Sequence, residues 1–246
     1  MNRPKKLSLF AGIALTGTFA LFLLVVSPVL SSALQDFLVF SPIIYRPAVP
    51  TVPPPIVKNV GNETNYVSSG DLHIVGDIYN ATSNHTTSLY VPIRLLDSNN
   101  QVIDSENAGV FLSNLSPNDT TCYSAAFLNR TTGWSKIEIF APEYDTTSNE
   151  PPKLSISSLS GAYNAQTGNY TINGSIKNDD HVTVYNVKAI GTLYDKNEKV
   201  VGCMAAYVDG ALNLLMGRTA NFKITFYDRD YKDVTRFRLQ TDGFIQ

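Results

Sequence analysis

Residues 168–195 read G-N-Y-T-I-N-G-S-I-K-N-D-D-H-V-T-V-Y-N-V-K-A-I-G-T-L-Y-D. Residues 70–97 read G-D-L-H-I-V-G-D-I-Y-N-A-T-S-N-H-T-T-S-L-Y-V-P-I-R-L-L-D. The two stretches align without a gap at an offset of 98 residues (70 onto 168). Gly76 falls on Gly174, Asn80 on Asn178, Leu95 on Leu193 and Asp97 on Asp195. In the later copy Tyr170, Ile172, Gly174 and Ile176 alternate with Thr171, Asn173, Ser175 and Lys177. In the earlier one Leu72, Ile74, Gly76 and Ile78 alternate with His73, Val75, Asp77 and Tyr79. Period two predicts a half-buried strand. A polar loop follows, and then a second alternation, Val187, Ala189, Gly191 and Leu193 or Leu89, Val91, Ile93 and Leu95. Each copy closes on an Asp- and Asn-rich segment after Asp97 or Asp195. Such residues bond their own backbone and tolerate left-handed geometry, so a hairpin turn is expected there. A glycine at one shared inward position predicts close approach of a facing chain.

The repeat extends beyond each stretch towards the C-terminus. Val200-Val201 answers Val102-Ile103, and Phe222, Ile224 and Phe226 answer Tyr123, Ala125 and Phe127. Phe237 and Leu239 answer Ile137 and Ile139. About seven short strands per copy, punctuated by turns, point to an all-β fold of two tandem immunoglobulin-like β-sandwich domains. The expected boundaries are 56–145 for the first domain, 146–153 for a linker and 154–246 for the second. Residues 210–217 come nearest to helical periodicity and are too few for a helix.

Leu193-Tyr194-Asp195, with Asn178 before it and Lys199-Val200-Val201-Gly202 after it, resembles the FxLYD domain family. The resemblance covers most of each copy. Gly191 stands where the family name has Phe, and the first copy has Ile93 there and Leu96 in place of Tyr. The resemblance implies small β-sandwich modules on secreted or membrane-anchored microbial proteins, and it supplies no catalytic residues.

Asn2-Arg3-Pro4-Lys5-Lys6 is a basic start, and residues 7–26 carry no charge. About 20 apolar residues suffice to cross a bilayer. A small-residue site at Ser31-Ser32-Ala33 fits signal cleavage equally. Residues 1–33 are therefore a signal peptide or a transmembrane anchor, and the remainder is exported on either choice. Residues 34–55 hold Pro42, Pro47, Pro50, Pro53, Pro54 and Pro55, which makes a semi-rigid linker. Expected localisation is extracytoplasmic, anchored by one N-terminal helix or released after Ala33.

Formal net charge is −2 over 246 residues. Without Arg3, Lys5 and Lys6, the remaining 16 basic residues face 21 acidic ones, a balance of −5. An acidic surface excludes nucleic acid as a partner, because phosphate binding needs a basic stripe. Cys122 and Cys203 occupy non-equivalent positions of different copies. A bridge between them would have to cross between domains, so two separate, partly buried thiols are expected.

Candidate chemistry is thin. His73 lies on an outward strand face, and His85 and His181 lie in equivalent loops. No H-E-x-x-H, C-x-x-C or nucleophile-elbow motif occurs. The chain is read as no enzyme, with no catalytic residue and no cofactor. Asp228, Asp230 and Asp233 form the densest carboxylate cluster and are the weak candidate for a metal site, though Arg229 and Lys232 offset their charge. Tyr79, Tyr90, Tyr185, Tyr194 and Tyr207 fall on outward faces or edges and are candidates for a protein- or glycan-binding patch. Of eight N-x-S/T triplets, Asn114 and Asn118 are the candidate glycosylation sites. These features suggest a non-enzymatic binding, adhesion or structural module at the cell surface. The alternatives are an accessory subunit of an envelope complex docking by strand-edge pairing, and a hydrolase with an interdomain site. The partners expected are the membrane, through the N-terminal segment, and a protein or glycan at the surface.

Overall fold

Every regular element among the described residues is a β-strand, and every strand pairing is antiparallel. The structure is a computed structural model and describes residues 56–210 and 213–246. The expected N-terminal helix and the Pro-rich linker lie outside them. Among the described residues no helix is long and apolar enough to cross a membrane. The first half contains β1 (Val57–Asn59), β2 (Thr64–Ser68), β3 (Asp71–Asn80) and β4 (His85–Leu96). It continues with β5 (Val102–Val110), β6 (Thr120–Phe127), β7 (Lys136–Ile139) and β8 (Glu143–Thr147). The second half contains β9 (Leu154–Tyr163), β10 (Tyr170–Asn178), β11 (Tyr185–Asp195), β12 (Val200–Tyr207), β13 (Thr219–Phe226) and β14 (Val234–Phe244).

The repeat seen in sequence is a repeat of topology. In the second half, one sheet runs β13-β10-β9 and another β12-β11-β14. In the first half, β6 and β2 flank β3, while β5 and the pair β7 and β8 flank β4. Register agrees too, since Gly76 faces Tyr123 across β3 and β6, and Gly174 faces Phe222 across β10 and β13. One difference is that Gly109 and Val110 of β5 also pair with Ser124 and Tyr123 of β6. That short ladder joins the first half into one eight-stranded sheet, whereas the second half keeps two three-stranded ones.

The second half has six strands rather than about seven. Its β14 runs unbroken where the first half has β7 and then β8. Pro142 stands between those two, and proline has no N–H to continue a ladder. β8 also carries strand structure through Thr147, two residues into the stretch read as linker.

The inward alternation holds. Leu72, Ile74 and Ile78 pack with Val91, Ile93, Leu95 and Phe127 in one buried cluster. Ile172, Ile176, Val187, Ala189 and Leu193 pack with Phe222, Ile224 and Phe226 in the other. The paired glycines have a specific cause. A Cβ on Gly76 would lie 2.5 Å from Tyr123 Oη, and one on Gly174 would lie 2.7 Å from Phe222 Cζ. The approaching group is thus the ring of the cross-strand partner, lying over the glycine.

Asn80 and Asn178 are buried hubs with the same bonds. Asn80 Nδ2 donates to the carbonyls of Asn84 (2.9 Å) and Leu115 (3.0 Å). Asn178 Nδ2 donates to those of Val182 (2.8 Å) and Leu214 (2.7 Å). The Oδ1 atoms accept from the N–H of Thr82 and Asp180. Each asparagine thereby ties the loop after one strand to the loop before β6 or β13. Burial and these bonds remove Asn80 as a glycan acceptor in the folded chain.

The expected hairpin turns also form. Asp97 Oδ1 accepts from the N–H of Asn99 (2.8 Å) and Gln101 (2.9 Å). Asp195 Oδ1 accepts from the N–H of Asn197 (2.8 Å) and Lys199 (2.9 Å). Asn100 and Glu198 take positive φ at matching places, 59° and 61°. The backbone bonds hold the Asp97 carboxyl below its ordinary pKa.

Candidate functional site

Residues 52–246 form one compact unit, because the outward faces of two sheets meet. On β3 the outward residues Val75 and Asp77 are 1% and 3% exposed. On β11 the outward residues Ile190, Thr192 and Tyr194 are equally enclosed. Ile190, Tyr194, Val200 and Cys203 of the second half belong to the same buried cluster as the first half's core. Alternation had marked Val75, Asp77, Ile190, Thr192 and Tyr194 as outward, and they are outward from their own half. The other half covers them.

Cys122 of β6 and Cys203 of β12 are joined by a disulfide, with Cα atoms 5.8 Å apart and a sequence separation of 81. This corrects the expectation of two separate thiols. The two cysteines are non-equivalent because the face-to-face contact brings a β6-type strand of one half against a β12-type strand of the other. A bridge between unlike positions is what that arrangement permits.

Polar residues of β14 complete the contact. Phe237 and Leu239 face the second core, so Arg238, Gln240 and Asp242 face the first half. Arg238 Nη2 lies 2.7 Å from Asp77 Oδ1. Tyr194 Oη (2.8 Å) and Asn62 Nδ2 (3.0 Å) donate to Asp77 Oδ2. Burial and the Asp77 charge raise the Tyr194 hydroxyl pKa above its ordinary value. Asp242 accepts from Ser113 Oγ (2.7 Å) and pairs with Lys188 Nζ (3.0 Å). Gln240 Nε2 donates to Asp119 Oδ2 at 3.2 Å. None of Asp77, Arg238 and Asp242 was singled out from sequence. Apolar Val75 and Ile190 at outward positions were the available signal.

Tyr194 is therefore corrected as a surface candidate: it is 1% exposed and holds the halves together. Leu193 packs in the second core and Asp195 caps the turn, so all three residues of the L-Y-D stretch have structural work. The other four tyrosines do not converge. Tyr79 donates to Asn118 Oδ1 (3.0 Å), and Tyr90 donates to Glu143, which raises its pKa. Tyr185 stacks on Phe244 with centroids 5.7 Å apart, and Tyr207 is exposed.

Asp228, Asp230 and Asp233 also diverge. Asp228 accepts from Tyr66 and Tyr231, a third clamp between the halves, with Arg229 4.8 Å above the Tyr66 ring. Asp230 accepts from Tyr163 (2.8 Å), and Asp233 lines an open surface beside Lys196 and Lys232. No group of three His, Cys, Asp or Glu among the described residues is arranged to hold a metal. Of the histidines, His73 stacks on Tyr66 at 5.1 Å, while His85 and His181 stay in separate halves. Asn114 donates its side-chain amide to Asn149 O at 2.5 Å, and Asn118 is exposed with φ 61°.

A cleft of about 470 Å³ opens where both halves meet the joining segment. Thr87 and Thr147 of the first half, Asn149, Glu150 and Pro152 of the joining segment and Phe244 of β14 line it.

No family model and no curated protein matches the chain. Red sea bream transglutaminase aligns at TM-score 0.25 and 10% identity over 75% of this chain and 29% of its own. An exo-chitosanase, CsxA of Amycolatopsis orientalis, aligns at TM-score 0.27 and 13% identity over 74% of this chain and 25% of its own. The chain thus spans under a third of either protein, and similarity at this level bears on neither fold family nor activity.

Proposed function

We propose that the chain is a non-enzymatic extracytoplasmic module, exported or anchored through residues 1–33, that presents two FxLYD-like, immunoglobulin-like sandwiches as one rigid binding unit. The Cys122–Cys203 bridge carries this proposal. Disulfides persist in oxidising compartments, and this one joins the halves rather than stapling either. The Asp77–Arg238 pair, of which Asp77 is buried, and the Asp228–tyrosine clamp act on the same joint. Surfaces on both halves are thereby held in fixed relation, which lowers the ordering cost of binding a partner that touches both.

The test is to extract the chain from its host under thiol-blocking conditions and capture envelope proteins and glycans with it. A bridged chain that retains a surface partner supports the proposal. Free thiols at Cys122 and Cys203 in the extracted chain would sink the export claim, and capture of neither class would sink the binding claim.

A second role, docking through a sheet edge, is favoured by β9. Among the described strands it pairs only with β10, and no charged residue or proline interrupts it. Such an edge is a template for an added strand. Proline substitutions along β9 that abolish capture would select this role.

A further inference from the structure

We propose that the cleft at the meeting of the two halves and their joining segment binds an uncharged oligosaccharide; this rests on the binding role above and names its ligand class. The lining chemistry narrows the choice. Among the described residues that line the cleft, Glu150 is the only charged one and none is a cation. Phosphates, sulfates and acidic sugars would enter without a counter-charge, and one carboxylate does not make a metal site. A wholly apolar ligand would strip water from Thr87, Thr147 and Asn149 and leave their polar groups unpaired. A neutral sugar answers both needs, because it offers hydroxyls in its plane and C–H groups on its faces.

The platform for those C–H groups is Phe244. Its residue is 43% exposed, and the ring is backed by Tyr185 at 5.7 Å and an interplanar angle of 23°. A ring already held on one side loses little freedom when a ligand covers the other. The polar wall is fixed as well. Thr87 Oγ1 donates to Ser113 O at 2.9 Å, and Thr147 Oγ1 accepts from Asn149 N at 3.1 Å. Each hydroxyl keeps capacity for a further bond. Asn114 Oδ1, enclosed in the same wall, has no partner among the described residues. The volume falls within the roughly 300–1,000 Å³ of ligand-binding clefts. Phe244 comes from one half and Thr87 and Thr147 from the other, so the site exists only while the halves are joined.

Calorimetric titration of the purified full chain with uncharged hexasaccharides of β-glucan, chitin, mannan and xylan tests the assignment, with a polygalacturonate hexasaccharide as charge control. At least one neutral sugar is expected to bind. Phe244→Ala should weaken it by about tenfold or more, the worth of one aromatic contact. Thr147→Arg, which fills the cleft, should abolish it, while Leu128→Ala, at an exposed residue outside the cleft, should leave it unchanged. Unaltered circular dichroism would show that the variants fold. Absence of binding to every neutral sugar, equal binding of the acidic one, or binding indifferent to both cleft variants overturns the assignment. If Phe244→Ala still captures its surface partner from the host, the cleft assignment fails and the broader binding role stands.

Discussion

Asp77 and Arg238 stand 161 residues apart in sequence and 2.7 Å apart in space, an ion pair that closes the contact between the halves. Asp77 is 3% exposed and also accepts from Tyr194 and Asn62. Removing Asp77 strands Arg238, whose side chain is 25% exposed, so the cost should be about 3 kcal/mol, the low end for a buried pair. Asp77→Ala should therefore lower the unfolding free energy by that order in urea titrations. The double variant Asp77→Leu with Arg238→Met should recover much of the loss, because apolar replacement of both partners is often neutral or better. Strictly additive losses would show that the pair is uncoupled.

The disulfide acts on the unfolded chain. With the cysteines separated by 81 in sequence, the chain-entropy estimate of its effect is about 4–5 kcal/mol. Cys122→Ala with Cys203→Ala should lower stability by up to that amount and raise the denaturant m-value, since the unfolded state becomes more expanded. An unchanged urea midpoint would mean that the face-to-face packing alone holds the halves.

The legible part of this fold was the part written twice. Inward alternation at Ile74 and Ile172, the turn aspartates and the shared glycines all repeat, and each repeats because its own half needs it. The joint between the halves was not legible. Asp77, Arg238, Cys122 and Cys203 occur once each in that role, so no second copy flags them. Period two tells outward from inward within a strand, but it cannot tell water from another sheet. Asp228 showed the same limit from the other side: a run of carboxylates looked like a metal site until tyrosines from both halves claimed its densest member.

The glycine pair gives a contrast that needs no functional assay. Gly76→Ala and Gly174→Ala each drive a methyl group into a ring at 2.5 and 2.7 Å. Overpacking of this kind costs about 1–3 kcal/mol. Gly109, also in a strand, has nothing within 4 Å of a would-be Cβ. Gly109→Ala should be neutral or stabilise by up to about 1 kcal/mol through the unfolded chain. Thermal unfolding of the three variants decides it, and similar losses in all three would refute the close-approach account.

Asn80 and Asn178 should fail alike. Truncation of either to alanine removes two bonds to loop carbonyls and leaves one N–H short of an acceptor, while Leu115 O and Leu214 O keep the N–H of Thr86 and Val184. About 1–3 kcal/mol per site is expected from the loss of these bonds. Asn→Asp should cost at least as much, because the carboxylate cannot donate to either carbonyl. Hydrogen exchange should quicken first in the mutated half, at the loop its asparagine held.

Stability should fall on the alkaline side through the tyrosines. Burial is the leading cause that raises the hydroxyl pKa of Tyr66, Tyr123, Tyr194 and Tyr231 above 10.0, and the Asp228 carboxylate adds to it at Tyr66 and Tyr231. A phenol whose folded pKa exceeds its unfolded value holds its proton more tightly when folded. Its contribution is therefore intact below about pH 10 and is lost as pH rises beyond it. Urea unfolding should show a stability that declines steeply above pH 10, with tyrosinate absorbance from these four appearing only as the chain unfolds. Tyr194→Phe should start lower, since Asp77 loses a donor, and should decline less steeply, since one titrating group is gone. A decline of equal slope in the variant would place the alkaline sensitivity elsewhere in the chain.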